Sequence, residues 1–292
     1  MVSISQSTAK YVLISPVRDE AEHLQKTIDS VVAQTVRPAR WVIVNDGSRD
    51  ATGEIAEKAA AKHHWIDVVH RIDRGTRSVG PGVVDAFYVG YEWLKGEDYQ
   101  YLCKMDGDLS FGPFYFEHLL GIFDLNRRLG AASGKCFHPV GNKLIEERID
   151  DESVLGAMKF YRRECFGEIG GFVREVMWDG IDWHRARMLG WQTKSLHDPE
   201  LQIIHHRQMG SSHRTLVNGR MRWGRGQYFL GTHPLYILAS GVNRMRERPF
   251  VVGGACIVAG YVSAWMKGAP RYEDPAFRKE LHQWQLKRLH LR

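Results

Sequence analysis

The sequence Lys104-Met105-Asp106-Gly107-Asp108-Leu109-Ser110 places two carboxylates one residue apart, directly after the strand-like run Tyr99–Cys103. At the end of a strand, an Asp-x-Asp pair can hold a divalent cation through hard oxygen ligands, and the cation can neutralise a diphosphate. Asp-Gly-Asp is also common in ordinary turns, so the triplet alone is a weak signal. Its weight depends on the strands that precede it.

Two earlier apolar strands also end in acidic residues. The first continues into Ser15-Pro16-Val17-Arg18-Asp19-Glu20, and the second into Val44-Asn45-Asp46-Gly47-Ser48. The carboxyl ends of parallel strands lie at the same edge of a sheet, where α/β proteins bind their ligands. Three strands that each end in Asp therefore predict a parallel sheet with a polar site at its carboxyl edge.

The first half of the chain alternates strand and helix patterns. Strands are predicted at Tyr11–Ser15, Trp41–Val44, Ile66–Val69 and Gln100–Cys103, and helices at Ala21–Gln34, Ala51–His63 and Val83–Leu94. Such alternation with short connections is typical of an α/β fold with a doubly wound, mostly parallel sheet.

The second half is less regular. Helices are predicted at Pro113–Leu129, Asp179–Leu189 and Arg214–Leu230, and strands at Ala131–His138, Val154–Phe160 and Leu201–His205. We expect a catalytic domain over residues 1–206 and a basic helical extension over residues 207–292.

Composition favours a cytoplasmic globular protein. Of the 292 residues, 43% are hydrophobic, which is enough for a core, and the polar N-terminus Met1–Lys10 has no apolar signal region, so we expect no export. Cys103, Cys136, Cys165 and Cys256 are scattered, without a Cys-x-x-Cys pair. They are predicted to be reduced thiols, neither a disulfide framework nor a zinc site.

Charge is distributed unevenly along the chain. From Arg207 onward there are 15 basic and 4 acidic residues, a net +11, so residues 1–206 carry −5 of the total of +6. A basic C-terminal third suits an anionic surface or substrate. The uncharged run Phe250–Met266 is either a buried helical element or a segment that enters the bilayer interface, where Trp265 and Tyr261 would lie.

The residues resemble glycosyltransferase family 2, nucleotide-sugar transferases with the GT-A fold, over about Tyr11–His206. Five segments in the family's order carry the resemblance: Ser15-Pro16-Val17-Arg18-Asp19-Glu20, Val44-Asn45-Asp46-Gly47-Ser48, Asp106-Gly107-Asp108, Gly170-Gly171-Phe172, and Trp178-Asp179 followed by Arg185 and Gly190. The resemblance implies inverting transfer of a sugar from a nucleotide-diphosphate sugar, with Mg or Mn as the metal.

The resemblance also implies roles on the donor side. Asp46 would accept hydrogen bonds from the nucleotide base, and Asp19 or Glu20 would bracket the base and ribose. Arg77 would contact the diphosphate. The metal ligands would be Asp108 and Asp106, although Asp106 can instead contact the ribose. A histidine would be the third ligand, with His205 as the first choice and His206 as the alternative. Asp46 could alternatively be the turn residue that caps the next helix.

On the acceptor side, the resemblance implies a carboxylate base six residues before an Arg, and Asp179 has that spacing from Arg185. Trp178 replaces the acid that usually precedes the base, and desolvation beside it would raise the proton affinity of Asp179. Asp182, one turn later, is the alternative base. Gly170 and Gly171 would let the backbone pass close to the sugar and acceptor.

Two other functions remain open from the residues: nucleotidyl transfer, and an inactive membrane or nucleic-acid adaptor on the same fold. The Gln that processive synthases place three residues before their Arg-Trp pair is Gly219 here, before Arg222-Trp223, so addition of a single sugar is expected. The expected partners are the donor, a glycan or polyprenyl-linked acceptor and the inner face of the cell membrane, but no nucleic acid.

Overall fold

A computed structural model describes residues 9–73, 75, 80–147, 149–207, 216–246 and 250–291. The chain divides into two compact units. The first comprises the described residues up to Arg174 together with Trp178–Arg207, and the second comprises Glu175–Met177 and the described chain after Arg207.

Eleven strands are described in the first unit. They are β1 (Tyr11–Val17), β2 (Arg40–Asn45), β3 (Ile66–His70), β4 (Tyr101–Met105), β5 (Leu109–Phe111), β6 (Leu129–Gly134), β7 (Cys136–Val140), β8 (Lys143–Glu146), β9 (Met158–Arg162), β10 (Gln192–Leu196) and β11 (Ile203–His205). Its helices are α1 (Leu24–Val32), α2 (Thr52–Lys62), α3 (Pro81–Trp93), α4 (Tyr115–Leu125), α5 (Arg163–Glu168) and α6 (Trp178–Met188).

The main sheet has the order β10-β6-β9-β4-β1-β2-β3. Its strands are parallel except β9, which runs antiparallel to both β4 and β6. The predicted α/β class and mostly parallel sheet are confirmed, as are the first four strands and the three helices between them.

Helices cover both faces of this sheet because both faces of its central strands are apolar. Leu13, Trp41 and Ile43 belong to the buried cluster that also contains the apolar residues of α1 and α2. On the other face, α3 packs so closely that a Cβ on Gly90 would lie 2.7 Å from Ile14 Cγ2. The sheet is therefore doubly wound.

A second, four-stranded sheet has the order β5-β11-β7-β8. The single strand predicted over Ala131–His138 is wrong, because the chain leaves the main sheet after β6 and enters the small sheet as β7. At the end of β6, Gly134 lies directly against the chain before β11, since a Cβ on Gly134 would lie 1.6 Å from the carbonyl oxygen of Leu201.

Several predicted boundaries are also wrong. The helix predicted over Pro113–Leu129 is shorter, α4, and β6 begins at Leu129. The strand predicted over Val154–Phe160 begins only at Met158, and that over Leu201–His205 is a 3-10 turn, Pro199–Leu201, followed by β11. Apolar content predicted these elements but not where hydrogen bonding to neighbours begins.

The second unit consists of α7 (Leu216–Leu230), α8 (Pro234–Arg244), α9 (Val252–Met266) and α10 (Pro275–Arg288). The helix predicted over Arg214–Leu230 is confirmed from Leu216 onward, and its first two residues lie outside the described residues. Glycines let α7 and α9 touch, since a Cβ on Gly260 would lie 2.2 Å from the Met221 carbonyl oxygen. None of the described helices is both long and apolar enough to cross a bilayer.

Tyr261 does not lie where the sequence suggested. It is buried inside the second unit, its ring packs against Tyr228, and its hydroxyl donates to the Thr232 carbonyl at 2.7 Å. Trp265, in contrast, is exposed at the C-terminal end of α9. The prediction that both aromatic residues lie at an interface is therefore wrong for Tyr261.

Candidate active site

The Asp-Gly-Asp triplet connects β4 to β5 at the carboxyl edge of the main sheet. The Asp106 amide donates to the Ala157 carbonyl at 2.8 Å, which ties the triplet to the loop before β9. Gly107 is needed because a Cβ there would lie 2.6 Å from Val17 Cγ1, at the end of β1. The ends of β1 and β4 thus meet, as the pattern of acidic strand ends predicted.

Asp108 is the buried carboxylate of the triplet, with 6% of its surface exposed. Its Oδ2 lies 3.5 Å from His205 Nε2 and 3.9 Å from Arg207 Nε. Its Oδ1 is buried without a hydrogen-bond partner among the described residues. Burial alone would raise the pKa of Asp108, but the hydrogen bond with His205 and the charges of His205 and Arg207 lower it overall.

The structure brings the ring of His205, and not the ring of His206, against the Asp108 carboxylate. Because β5 and β11 pair antiparallel, His205 lies opposite Leu109, the residue after Asp108. Side chains alternate along a strand, so His206 faces the other way. Its ring contacts the Ser110 hydroxyl at 2.9 Å and stacks on His23 at 5.6 Å between ring centroids.

His205 is held from both sides. Its Nδ1 lies 3.4 Å from Glu147 Oε2, and Cys136, Glu147 and His205 are buried with ligand atoms within 4.8 Å of one another. Burial disfavours a charged ring, but hydrogen bonds with Asp108, Cys136 and Glu147 raise the pKa of His205 to about 12. Burial raises the pKa of the Cys136 thiol to about 11, so the thiol is protonated at neutral pH.

Our sequence analysis did not identify Glu147 or Arg207 as site residues. Glu147 follows β8, and its amide donates to the Cys136 carbonyl at 2.8 Å. A sequence signal existed, since Gly141-Asn142 is typical of a hairpin turn and would have paired this segment with Phe137 and its neighbours. Arg207 was counted only as part of the basic tail, although it belongs to the first unit.

The predicted nucleotide residues follow β1 and β2. Glu20 is buried and its carboxylate pairs with Arg207, so it faces the Asp108 region. Asp19, in the left-handed backbone region with a φ of 53°, accepts from the Arg49 amide at 2.9 Å. Asp46 is buried, and its Oδ1 lies 2.7 Å from Arg71 Nη1.

A third strand end adds a residue that the sequence did not suggest. Asp73, after β3, pairs with Arg18 at 2.6 Å and with Arg49 at 2.8 Å. A backbone hydrogen bond from Gly75 and the two guanidinium groups lower the pKa of Asp73. Arg18 also donates to the Asp46 carbonyl at 2.8 Å, so this network connects the ends of β1, β2 and β3. Arg77, the predicted diphosphate contact, lies outside the described residues.

The candidate base Asp179 lies near the triplet. Its Oδ2 would be 2.8 Å from a Cβ on Gly156, whose own carbonyl accepts from Lys104 Nζ at 2.8 Å. The same Lys104 ammonium pairs with the Asp106 carboxylate. Burial raises the pKa of Asp106, although the charge of Lys104 acts in the opposite direction. Asp179 itself is exposed, on the first turn of α6.

Asp182, the alternative base, is enclosed by partners. It is 1% exposed and accepts from Lys159 Nζ, which is 0% exposed, at 2.7 Å. The Tyr161 hydroxyl donates to its Oδ2 and the Trp183 amide to its Oδ1, both at 2.7 Å. Burial raises the pKa of Asp182. These contacts leave Asp182 without access to a substrate hydroxyl, which favours Asp179 as the base.

Trp178 and the glycine pair shape the surroundings of Asp179. Trp178 is buried, packs against Phe172 at 4.8 Å between ring centroids, and lies 5.4 Å from Lys104 Nζ. Gly170 and Gly171 both have positive φ, 72° and 70°. A Cβ on Gly171 would lie 2.5 Å from the Tyr88 hydroxyl, so glycine is required there.

The donor set fits a hard divalent cation. Asp108 presents a buried oxygen that lacks a partner among the described residues, and an imidazole nitrogen lies beside the other oxygen. Carboxylate oxygens with one imidazole suit Mg2+ or Mn2+, whereas the protonated Cys136 thiol does not.

Comparison with known proteins shows which family this chain matches. Residues 12–174 match the family described as glycosyl transferase family 2. Over 158 residues the chain is 27% identical to glycosyltransferase GlyA of Streptococcus pneumoniae, covering 50% of this chain and 21% of that protein. In a second alignment, also of 158 residues, the chain is 29% identical to undecaprenyl-phosphate mannosyltransferase of Micrococcus luteus, covering 54% of this chain and 60% of that protein. The chain thus spans less than two thirds of either relative.

Solved structures agree on the fold. The mannosyltransferase PcManGT from Pyrobaculum calidifontis, determined in complex with GDP-Man and Mn2+, aligns with a TM-score of 0.56 at 15% sequence identity. The alignment covers 90% of this chain and 77% of that one. At such low identity the likeness concerns the fold alone, and it confirms the predicted GT-A type architecture.

Proposed function

Because this chain belongs to glycosyl transferase family 2, we propose that it transfers a single sugar from a nucleotide-diphosphate sugar to a hydroxyl group of a glycan or lipid-linked acceptor. The observation that supports this most directly is the placement of Asp179. Its carboxylate lies against Gly156, which also binds the Lys104 ammonium paired with Asp106. A candidate base and a candidate metal motif, distant in sequence, therefore adjoin one site.

On the donor side, Asp108 and His205 would hold a Mg2+ or Mn2+ ion, with Asp106 as a further ligand or as the partner of the ribose. Such a cation stabilises the negative charge that develops on the leaving diphosphate. Arg207, which faces Asp108, is placed to contact the same anionic group. Asp46, Asp19, Glu20 and Arg77 are proposed to bind the nucleotide.

On the acceptor side, Asp179 removes the proton from the acceptor hydroxyl as its oxygen attacks the anomeric carbon. Attack opposite the leaving diphosphate inverts the configuration at that carbon. Lys159 donates to the Asp179 carbonyl at 3.0 Å and so fixes the first turn of α6. Gly170 and Gly171 leave room for the sugar and acceptor beside this turn.

The alternatives explain fewer of these features. Nucleotidyl transfer needs no base on α6, and the Gly-rich, Lys/Arg-bearing loop that it uses after the first strand is replaced by Pro16-Val17-Arg18-Asp19. An inactive adaptor needs neither a buried Asp108 oxygen that lacks a partner among the described residues nor an exposed Asp179 beside the metal motif.

A thermal-shift screen with nucleotide diphosphates, with and without Mn2+, tests the donor site. A true donor site stabilises the protein by mass action, about 2.7 kcal/mol at a ligand concentration of a hundred times Kd. Asp108→Asn should lose the Mn2+-dependent part of this stabilisation, because an amide is a poorer ligand for a hard cation. Full sugar transfer by Asp108→Asn, or by the wild type in EDTA, would contradict the metal assignment.

We also propose that the enzyme works at the inner face of the cytoplasmic membrane, on a polyprenyl-linked acceptor. The relative from Micrococcus luteus carries undecaprenyl phosphate in its name. Within the second unit, α9 exposes an uncharged stripe along its whole length, formed by Val252, Ala255, Ala259, Val262 and Met266. Their spacing places them on one face of the helix.

The apolar stripe of α8 lies beside that of α9. Leu235, Leu238 and Val242 are exposed on α8, which packs against α9 through Gly241 and Gly254. On the roughly opposite side of α8, Arg244 stacks over Trp223 of α7, 5.0 Å from the ring centroid. Both stripes therefore face away from α7 and form one surface, which we call the α8–α9 face.

Basic residues border the α8–α9 face. Between Pro234 and Tyr272 the sequence has five basic residues and one acidic residue. Arg246 and Lys267, near the C-terminal ends of α8 and α9, are exposed. An apolar face with a cationic rim complements a bilayer that contains anionic lipid, because the side chains enter the interface while the charges meet headgroups.

Flotation with phosphatidylglycerol-containing vesicles tests this placement. The wild type should float at low salt and lose only part of its binding at high salt, since salt screens the charges but not the apolar contact. The double variant Leu238→Glu/Met266→Glu should stay at the bottom of the gradient. Leu125→Glu, at an exposed leucine of the first unit, is the matched control and should float. A wild type that stays at the bottom at low salt would refute membrane attachment.

A further inference from the structure

We propose that Glu147 is a positioning residue for the metal site: it orients the His205 ring so that Nε2 faces the cation held by Asp108. The inference rests on the proposed function, because it assumes a metal at Asp108 and His205. Nothing in the Asp-x-Asp pattern or the histidine pair of β11 points to Glu147, which lies on a different hairpin.

The geometry that carries this inference is a line of three groups. Asp108 Oδ2 lies 3.5 Å from Nε2 of His205, and Glu147 Oε2 lies 3.4 Å from Nδ1 of the same ring. A carboxylate that accepts the Nδ1 proton fixes the ring with Nε2 towards Asp108, where a bound cation would take the place of the Nε2 proton. Metal-binding histidines commonly have such a carboxylate behind the ring, which fixes the ring and increases its basicity as a ligand.

Glu147 is placed for this role by the small sheet. It is buried, with 5% of its side chain exposed, although it follows an exposed hairpin strand. Its amide donates to the Cys136 carbonyl at 2.8 Å, and β7 pairs with β11, which carries His205. A carboxylate is costly to bury without partners, so its position against a histidine ring indicates a specific contact.

The neighbouring side chains Cys136 and His138 do not take over the role of Glu147 behind the His205 ring. The Cys136 thiol also contacts the His205 ring, but a thiol is a weak hydrogen-bond partner and fixes the ring less firmly than a carboxylate. His138 Nδ1 lies 4.0 Å from Glu147 Oε1, beyond hydrogen-bonding distance. The interaction of Glu147 with the Nδ1 side of the His205 ring is therefore the contact that sets which ring nitrogen faces Asp108.

Mn2+ binding measured by electron paramagnetic resonance tests the inference without relying on activity. The probe is Mn2+ with the nucleotide diphosphate that stabilises the wild type most. Glu147→Leu should raise the Mn2+ Kd about 10- to 100-fold, the usual effect of removing such a partner. Glu147→Gln keeps an acceptor but not the charge, and should raise the Mn2+ Kd by a smaller factor than Glu147→Leu does. Glu146→Leu, the same change one residue earlier, should leave it unchanged.

Two further measurements separate orientation from general damage. Pulsed electron paramagnetic resonance detects a histidine nitrogen that is coupled to Mn2+. This coupling should be present in the wild type and in Glu146→Leu, and it should be lost in Glu147→Leu. Nucleotide affinity without metal should be equal in all of them. If Glu147→Leu does not fold, the Mn2+ Kd of Glu147→Gln tests the inference instead.

The outcomes are distinguishable. A wild type that binds no Mn2+ in the presence of nucleotide would refute the proposed metal site itself. A wild type that binds Mn2+ through a histidine nitrogen, together with Glu147 variants that bind it equally well, would leave the function standing and overturn the role of Glu147.

Discussion

Replacing Lys159 by Met tests whether the Lys159–Asp182 pair is structural. Lys159 and Asp182 are almost completely buried, with Nζ and Oδ2 2.7 Å apart. Met keeps the length of the side chain but removes the charge, so Asp182 would be left buried with hydrogen bonds from Tyr161 and Trp183 and no counter-charge. The carbonyls of Val154 and Asp179 would also lose their donor.

The expected magnitude follows from this arrangement. Removing one partner of a buried ion pair costs about 3–5 kcal/mol. For a unit of this size each kcal/mol lowers Tm by about 2–4 °C, so Lys159→Met should melt about 6–20 °C lower. Scanning calorimetry of the ligand-free protein measures this. Lys159→Met/Asp182→Asn, which removes the charge but keeps an acceptor, should recover most of the loss.

The loss should also depend on pH. Burial raises the pKa of Asp182, and removal of Lys159 raises it further. For a carboxyl group whose pKa is higher in the folded state, the loss of stability is complete above the folded pKa. The loss shrinks as pH falls below the folded pKa, and it vanishes below the unfolded pKa. Lys159→Met should therefore lose less stability at about pH 5 than at about pH 8.

Two results would refute this reasoning. A Tm for Lys159→Met within about 2 °C of the wild type would show that the pair contributes little. A double variant that regains its stability but is as inactive as Asp179→Asn, with unchanged donor affinity, would instead assign the base to Asp182.

Three further predictions concern the site. Asp179→Asn should leave donor affinity nearly unchanged and lower kcat about a hundredfold or more in a sugar-transfer assay, whereas Asp182→Asn should not, unless the base lies one turn later. Gly156→Ala should lower kcat with little effect on Tm, because a Cβ there would lie 2.8 Å from Asp179 Oδ2 and must displace it; an unchanged kcat would mean that this carboxylate is not the base. His205→Ala should abolish Mn2+-dependent stabilisation by nucleotide while His206→Ala preserves it, and equal effects would contradict the assignment of the ligand.

The acidic strand ends could be predicted from sequence because their pattern is local. The apolar runs of β1, β2 and β4 are followed within two residues by Asp19, Asp46 and Asp106, respectively. Parallel strands connected through helices bring their carboxyl ends to one edge, so the location of the site followed from the order of elements. Because a single residue separates β6 from β7, the sequence could not say that the two strands belong to different sheets.

The pairings between segments that are distant in sequence were decided only by the tertiary structure. Two acids of α6 are distinguished only by the fold. Asp182 is buried against Lys159 of β9, whereas Asp179 is exposed. Between adjacent histidines, strand pairing places His205 at Asp108. Glu147 becomes part of the site only through the hairpin that returns it to β7. Burial and counter-charge are properties of neighbours in space, so no spacing along the chain encodes them directly.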